Sequence, residues 1–489
     1  MAKILIIGGG VAGLSAGIYA RLNGHEAIVC EKHFVAGGNL TGWNRGGYHI
    51  DNCIHWLTGT NPASSHYKMW VELGALGDGI EIVQEGSLFS CDKDGKRVML
   101  PPSLAGLEKQ MLDHSKNDER EIKRFIRAVD FLQGADNIAG KKCDEGMTFG
   151  RLVKGVGPLL RYYNRTTGEL AALFNSPALR TFITGFWGDD FGALALIYVF
   201  ATFCGKNGAL PRGGSVKMAE RMVERFKKLG GELRLSCEAV KVNLDGGVAR
   251  SVTFADGSEE TADFVILTTD PAMTFGKIID CPMPSNLKKL YDDPKMLRYS
   301  AYHCAFGCDT PTLPFEGDLI FDVPEEFIDV LKTKQVILRG FSHESNFSPE
   351  GKSLIQTLTF SFEEDSKEFI RLKNEDPEAY KARKKKIAEI FKTLIEEHCE
   401  SLKGKLELID VWTPASYRKF VSSDIGSFMS FAMPKKYMPV ALSGEIKELR
   451  NVVLATQWQQ SPGGLPIAAG QGKNAIKIIE GKALKNKSK

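Results

Sequence analysis

KILIIGGGVAGLSAGIYARLNGHEAIVCEK, residues Lys3 to Lys32, sets an apolar run, three spaced glycines, a helical pattern and a second apolar run in order. Lys3 to Ile7 has the length of a buried strand, and Val11, Leu14, Ile18 and Leu22 then recur at helical spacing. Glu26 to Cys30 reads as the next strand, so the stretch predicts a strand-helix-strand unit and a parallel sheet. Gly8, Gly10 and Gly13 stand between strand and helix as G-x-G-x-x-G. The first allows a tight turn, the second lets a diphosphate approach the backbone, and the third lets the helix pack on the strand. Val11 and Ala12 open that helix, whose N-terminus adds partial positive charge, and they join the glycines as expected cofactor contacts. Glu31 follows Gly13 by 18 residues. A carboxylate there accepts hydrogen bonds from the ribose hydroxyls of an adenine dinucleotide and disfavours a 2′-phosphate, which argues against NADP.

Outward from this unit, 489 residues exceed what one core usually supports, so more than one domain is expected. Apolar residues make up 43% and charged residues 25%, as in an ordinary globular protein. With 63 basic and 60 acidic residues the net charge of +3 gives no reason to expect nucleic acid as a partner. Only the tail, with Lys482, Lys485, Lys487 and Lys489, is locally basic, and it reads as a solvated end. The ten cysteines are scattered, which fits a reducing cytosol, and Cys304 and Cys308 read as buried thiols; no metal is expected. The chain enters structure too early for a signal peptide, so a cytoplasmic protein, free or membrane-associated, is expected.

Beyond Pro62 helical stretches prevail, with Ile122, Phe125, Ile126 and Val129 on one apolar stripe. Ser215 reads as the N-cap of a helix ending at Gly230. Strands follow at Glu238 to Leu244, Ala249 to Phe254 and Glu260 to Ala262, joined at Asp245-Gly246 and Asp256-Gly257, then at Phe264 to Leu267. The stretch from Pro271 to Lys403 mixes strands with a helix whose face is Ile387, Ile390, Phe391, Leu394 and Ile395, lysines 384 to 386 lying on its solvated side. Asn451 to Ala455 reads as a strand, and the turn Pro462-Gly463-Gly464 precedes a last helix from about Ala468 to Glu480. The fold class is α/β: a discontinuous Rossmann-like FAD-binding domain with an inserted α+β substrate domain. Its expected parts are 1–61, 210–270 and 406–489 for the FAD-binding domain, and 62–209 and 271–405 for the substrate domain.

Glu31-Lys32, Gly37-Gly38 and Gly47-Tyr48-His49-Ile50-Asp51 resemble the N-terminal signature of the phytoene desaturase, carotenoid isomerase and retinol saturase group of amine-oxidase-like flavoproteins. The resemblance returns at Leu210 to Gly214, Ala262 to Ile266, Thr413-Pro414 and Ser461 to Pro466. It implies non-covalent FAD held by both ends of the chain, with a tunnel for a long apolar substrate between them. It also implies cofactor contacts from Lys32, Gly38, Asn39 and Val240, and from Gln457, Trp458, Gly464, Leu465 and Pro466. Asn39 stands where the group usually has Arg, Cys53 where Gly is common, and Thr456-Gln457 where Gly-Asp holds the ribityl chain. A Gln-Trp pair, here Gln457-Trp458, is the saturase-like form.

Hydride exchange with a flavin needs a proton carrier nearby, and His55, Trp56 and Gln457 are the catalytic candidates. Trp187, Asp189 and Asp190 are candidates for a tunnel mouth. The expected activity is FAD-dependent desaturation, saturation or isomerisation at carbon–carbon double bonds of a carotenoid, retinoid or unsaturated lipid. Alternatives on the same fold are an amine or porphyrinogen oxidase and a flavin-free, prenyl-binding escort-like protein. The sequence has no second G-x-G-x-x-G, so the electron donor or acceptor is a separate, unidentified partner. The longest uncharged apolar stretch, Phe191 to Cys204, is too short to span a bilayer, and its Phe191 to Phe203 segment reads either as a peripheral membrane contact or as a buried core helix.

Overall fold

The computed structural model describes residues 1–135 and 149–487. Among them, five parallel strands form one sheet in the order Glu232–Arg234, Glu26–Cys30, Lys3–Ile7, Phe264–Leu267 and Val452–Leu454. Both faces of this sheet are covered, which is why its strands are apolar at successive positions. Ile4 and Ile6 pack under the helices Val11–Leu22, Gly214–Lys228 and Leu465–Lys487, together with Leu14, Met222, Phe226 and Ile476. Leu5 and Ile7 face the other way, onto Val242 and Val252 of a small antiparallel sheet, Ala239–Asp245, Val248–Phe254 and Glu259–Glu260. The first hairpin of that sheet turns at Gly246 and Gly247, both at positive φ, as a two-residue hairpin turn demands.

A second sheet, of eight strands among the described residues, is built from Phe89–Lys93, Lys96–Met99, the strands between Tyr299 and Phe362, and Leu406–Trp412. Its long strand Tyr299–Cys308 is buried throughout, Cys304 and Cys308 included. One face meets helices that contribute Phe125, Val129, Phe182 and Phe200, and the other meets Phe369, Ile387, Phe391 and Leu394.

Four expectations from sequence are corrected. Ser215 lies inside the helix Gly214–Lys228, capped by Gly213; its hydroxyl donates to Asp51 Oδ1 and accepts from Ile54 N–H. The strand Leu406–Trp412 pairs antiparallel with Tyr299–Cys308, away from the parallel sheet. The last helix starts at Leu465 and runs to Lys487, so the expected solvated tail is helical through Lys487; Lys482 donates to the Arg450 carbonyl, and Lys489 lies outside the described residues. Lys384 is half-buried over Tyr380 rather than solvated. The helix Ala193–Cys204 packs as core, with Leu196, Ile197, Phe200 and Phe203 buried, which follows the core-helix reading rather than a membrane face. Among the described residues no helix is long and apolar enough to cross a membrane. On these pairings we propose the domain division expected from sequence, with residues 406–421 moved to the second domain.

Candidate functional site

The carboxyl ends of four parallel strands converge on one cavity of about 1150 Å³. Gly8 follows the first strand, Glu31 the second, Thr268 to Asp270 the fourth and Thr456-Gln457 the fifth, and all line it. This is where an open parallel sheet binds ligands.

Gly8 has φ +104°, and its N–H donates to the Cys30 carbonyl at 2.8 Å. A Cβ on Gly13 would stand 1.9 Å from the Gly8 carbonyl oxygen, so only glycine lets the first helix sit this close to the strand. Gly10 differs. Its φ of −72° suits any residue, and a Cβ there would meet nothing nearer than Gly38 Cα at 3.8 Å. The protein itself leaves room at Gly10; what a side chain would fill is the cavity.

Glu31 is buried, with one carboxylate oxygen accepting from Gly9 N–H at 2.7 Å and the other from His33 N–H at 3.0 Å. Its remaining lone pairs face the cavity it lines. Lys32 lines the cavity too, but its ammonium donates to the Ser422 hydroxyl and to the Lys419 carbonyl, and burial lowers its pKa. Val240 lines the same end while 43% exposed.

A strap between Thr413 and Ser430 crosses the site, and sequence reasoning missed it. The Phe428 carbonyl accepts from Asn39 Nδ2 at 2.9 Å and from Gln457 Nε2 at 3.3 Å, tying the N-terminal and C-terminal segments together. Asp270 holds the strap from below. It is fully buried and accepts from the Ser423 hydroxyl, Asp424 N–H, Ala272 N–H and the Tyr291 hydroxyl. Burial raises its pKa, against the pull of those four donors. The available signal was its place just past the carboxyl end of Phe264–Leu267.

Gln457 is engaged on both sides, since its Oε1 accepts from Gly464 N–H at 2.9 Å and its Nε2 donates to the Phe428 carbonyl, so it shapes the turn. Trp458 lines the cavity but stacks on Tyr291 at 5.2 Å and abuts Phe431 edge-on. Gly464, Leu465 and Pro466 bring the N-terminus of the last helix to the cavity. That helix reaches the first through Gly472, where a Cβ would lie 2.4 Å from the Ala12 carbonyl oxygen.

Past Gly38, Asn39 and Cys53, the wall becomes apolar and aromatic, with Phe186, Trp187, Phe191, Tyr299, Phe360 and Phe428. Asp189, by contrast, is exposed and paired with Lys334. Desolvation pushes the Cys53 thiol well up, so it is no thiolate near neutral pH. Trp56 lies edge-on to Phe186 at 5.7 Å. His55 lines the cavity with its Nδ1 3.3 Å from the buried carboxylate of Asp318, a partner that no sequence motif marked.

The residues fit an adenine-linked flavin. A Cβ at Gly10 would enter the cavity, Glu31 is fixed beside the cradle by the Gly9 N–H, and Asn39 Oδ1 is buried with no hydrogen-bond partner among the described residues. Compared with known proteins, the chain is 22% identical over 458 residues to a chloroplastic prolycopene isomerase of Daucus carota, covering 87% of this chain and 71% of that one. A phytoene desaturase (lycopene-forming) of a Paracoccus strain is 22% identical over 54% of each chain. Among solved structures, an oxidoreductase from Methanosarcina mazei superposes with a TM-score of 0.62 at 15% identity, covering 98% of this chain and all of that one, which shows the fold. The sequence profile of the flavin containing amine oxidoreductases matches residues 11–274, more than half of the chain and the whole stretch from the cradle helix to the residues after Asp270. A flavin-dependent oxidoreductase built on this cradle, the chain belongs to the flavin containing amine oxidoreductase family.

Proposed function

We propose that the flavin is FAD and that the protein acts on carbon–carbon double bonds of a long apolar polyene of the carotenoid or retinoid kind. The observation that carries this reading is one continuous cavity, with dinucleotide-binding features at one end and aromatic walls at the other. The acids among its described lining residues, Glu31, Glu238 and Asp270, all belong to the dinucleotide end. An amine would be bound by a carboxylate or an uncrowded aromatic pair at the reacting end; this wall offers broad apolar contact instead. The named activities of the prolycopene isomerase and phytoene desaturase relatives support the same substrate class.

Bound FAD would supply hydride exchange. Gly8, Gly10, Val11 and Ala12 would hold its diphosphate, Gly13 acting through the close packing of their helix on the strand; Glu31 would hold its ribose, and Val240 would flank the adenine end. Gly464, Leu465 and Pro466 aim the second helix N-terminus at the cofactor. Gly38, Asn39 and the Gln457 to Trp458 turn would shape its seat, Asn39 Oδ1 offering an acceptor to the cofactor's donor groups, a different contact from the one a donating arginine makes to phosphate. Lys32 secures the strap rather than the phosphates. Trp56 and the aromatic wall orient the polyene and exclude water, and His55 carries the proton. Electrons pass to or from a separate partner unless the reaction is a redox-neutral isomerisation.

We place the peripheral membrane contact at the cavity mouth. Met438 lines the cavity while 60% exposed, and Val440 and Leu160 are 69% and 61% exposed nearby. Paired hydrogen bonds between Tyr163 and Lys436 join the two segments; exposed Lys436 suits an anionic lipid surface, while Lys435 and Arg161 beside it are paired with Glu169 and Glu121.

The test is a visible spectrum of the purified protein, identification of the released flavin, and incubation with prolycopene and with phytoene in detergent micelles. Released FAD and flavin-dependent conversion of either polyene are expected. A yellow protein that neither converts nor binds any polyene in a broad mass-spectrometric screen would overturn the substrate class.

A further inference from the structure

The strand Asp318–Asp322 sets Asp318 directly opposite Arg339 of the antiparallel strand Gln335–Gly340. Both side chains are almost fully buried, Asp318 at 2% and Arg339 at 4% exposure. Arg339 Nη1 stands 3.9 Å from Asp318 Oδ1, while Asp318 Oδ2 lies 3.3 Å from Nδ1 of His55. A carboxylate this deep is costly unless a cation and hydrogen bonds compensate it, and the guanidinium beside it supplies the charge. An ionised carboxylate only accepts, so it takes the proton of a neutral imidazole onto the nitrogen facing it. That nitrogen is Nδ1. Nε2, for which the described residues provide no hydrogen-bond partner, is left with its lone pair on the side chain that lines the aromatic cavity.

We propose that Asp318, charge-paired with Arg339, is a positioning residue that fixes the Nδ1–H tautomer of His55, leaving Nε2 to take a proton from a substrate carbon and to return one. This rests on the double-bond chemistry proposed above. In the transfer a C–H bond breaks, an N–H bond forms at Nε2, and the bonding pair stays with the substrate carbon; no oxidant is consumed. The buried cluster passes from a net charge of zero to +1, and the carboxylate stabilises the imidazolium at the moment it forms, as in other histidine–carboxylate pairs. Among the described residues, a further titratable group that interacts with His55 is His303, from the strand Tyr299–Cys308. Its nitrogens are occupied by the Thr357 carbonyl and the Tyr417 hydroxyl, and burial holds its pKa down to about 3, so it stays neutral and does not compete for the proton.

The experiment is nitrogen-15 NMR of the flavin-loaded protein labelled at histidine, recorded at alkaline pH, with the His55 signals identified by their loss in His55→Gln. The wild type is expected to carry its ring proton on Nδ1, and Asp318→Asn to move it mainly to Nε2 while the flavin absorbance is unchanged. A wild-type ring with the proton on Nε2, or a tautomer that Asp318→Asn leaves alone, would overturn the proposal. Should Asp318→Asn fail to fold, the wild-type spectrum alone decides. With prolycopene or phytoene, whichever the wild type converts, Asp318→Asn should lower kcat by about 10²–10⁴-fold with KM within about twofold, and Asp318→Glu should recover part of the loss. Unchanged kcat in Asp318→Asn counts against the proposal. Absence of any polyene turnover in the wild type, with the proton on Nδ1, overturns the substrate class while supporting the role of Asp318.

Discussion

Gly13 and Glu31 were legible from spacing alone because their roles are local: one lets a helix touch its own strand, the other ends the neighbouring strand. A methyl group at Gly13 would sit 1.9 Å from a backbone oxygen, so Gly13→Ala should lose about 3 kcal/mol or more in urea unfolding. Gln457 and Trp458 were not legible in the same way. Their amide and ring are engaged by Phe428, Gly464, Tyr291 and Phe431, and no pattern in the chain announces which side chains will meet across it. His303 was missed for that reason too. It is stacked on Trp412 at 4.6 Å and buried neutral, with a pKa lowered from 6.5 to about 3 by desolvation first, then by the charge of His55. The unfolded chain therefore binds a proton that the folded one refuses. Its contribution is intact above pH 6.5 and is lost as pH falls toward 3, on the order of 5 kcal/mol across that window. Unfolding curves at pH 7 and pH 4.5 should differ by less in His303→Gln than in the wild type.

At the scale of elements, strands were read well where two covered faces made them apolar throughout, as at Lys3–Ile7 and Phe264–Leu267. The apolar helix Ala193–Cys204 left two readings open for a physical reason: uniform hydrophobicity does not distinguish a lipid face from a core, and here one side meets Phe125 and Phe182 while Leu194, Ala195 and Val199 border the cavity. The strap had no signature, because its order comes from partners distant in sequence. Asp270→Ala removes the acceptor for four donors and leaves Ser423, Asp424 and Tyr291 unpaired. It should destabilise the fold by roughly 3–5 kcal/mol, and limited proteolysis should cut between 413 and 430 faster than in the wild type. Gly472 sets the approach of the last helix to the first, so Gly472→Val should displace the Leu465 terminus and raise the rate of flavin release measured by fluorescence.

For the whole molecule, the two ends of the chain build one wall of the cavity and the strands and helices between them build the other. The resemblance in sequence identified both ends because their glycine turns are short and local; the shape of the apolar wall, assembled from six or more separate elements, could not be read. Exposed Met438 and Val440 beside that wall lead to a further expectation: Met438→Asp with Val440→Asp should reduce flotation with anionic liposomes, whereas Phe200, inside the core, is no part of that surface. Everything functional depends on the glycine cradle holding a flavin dinucleotide. Gly10 isolates that dependence, since its backbone tolerates a side chain and the protein leaves space for one. The decisive measurement is the flavin absorbance per chain of purified Gly10→Leu, with circular dichroism to establish that it folds. A native-like fold with the flavin lost is predicted; a native-like fold that keeps its full complement of flavin would contradict the account.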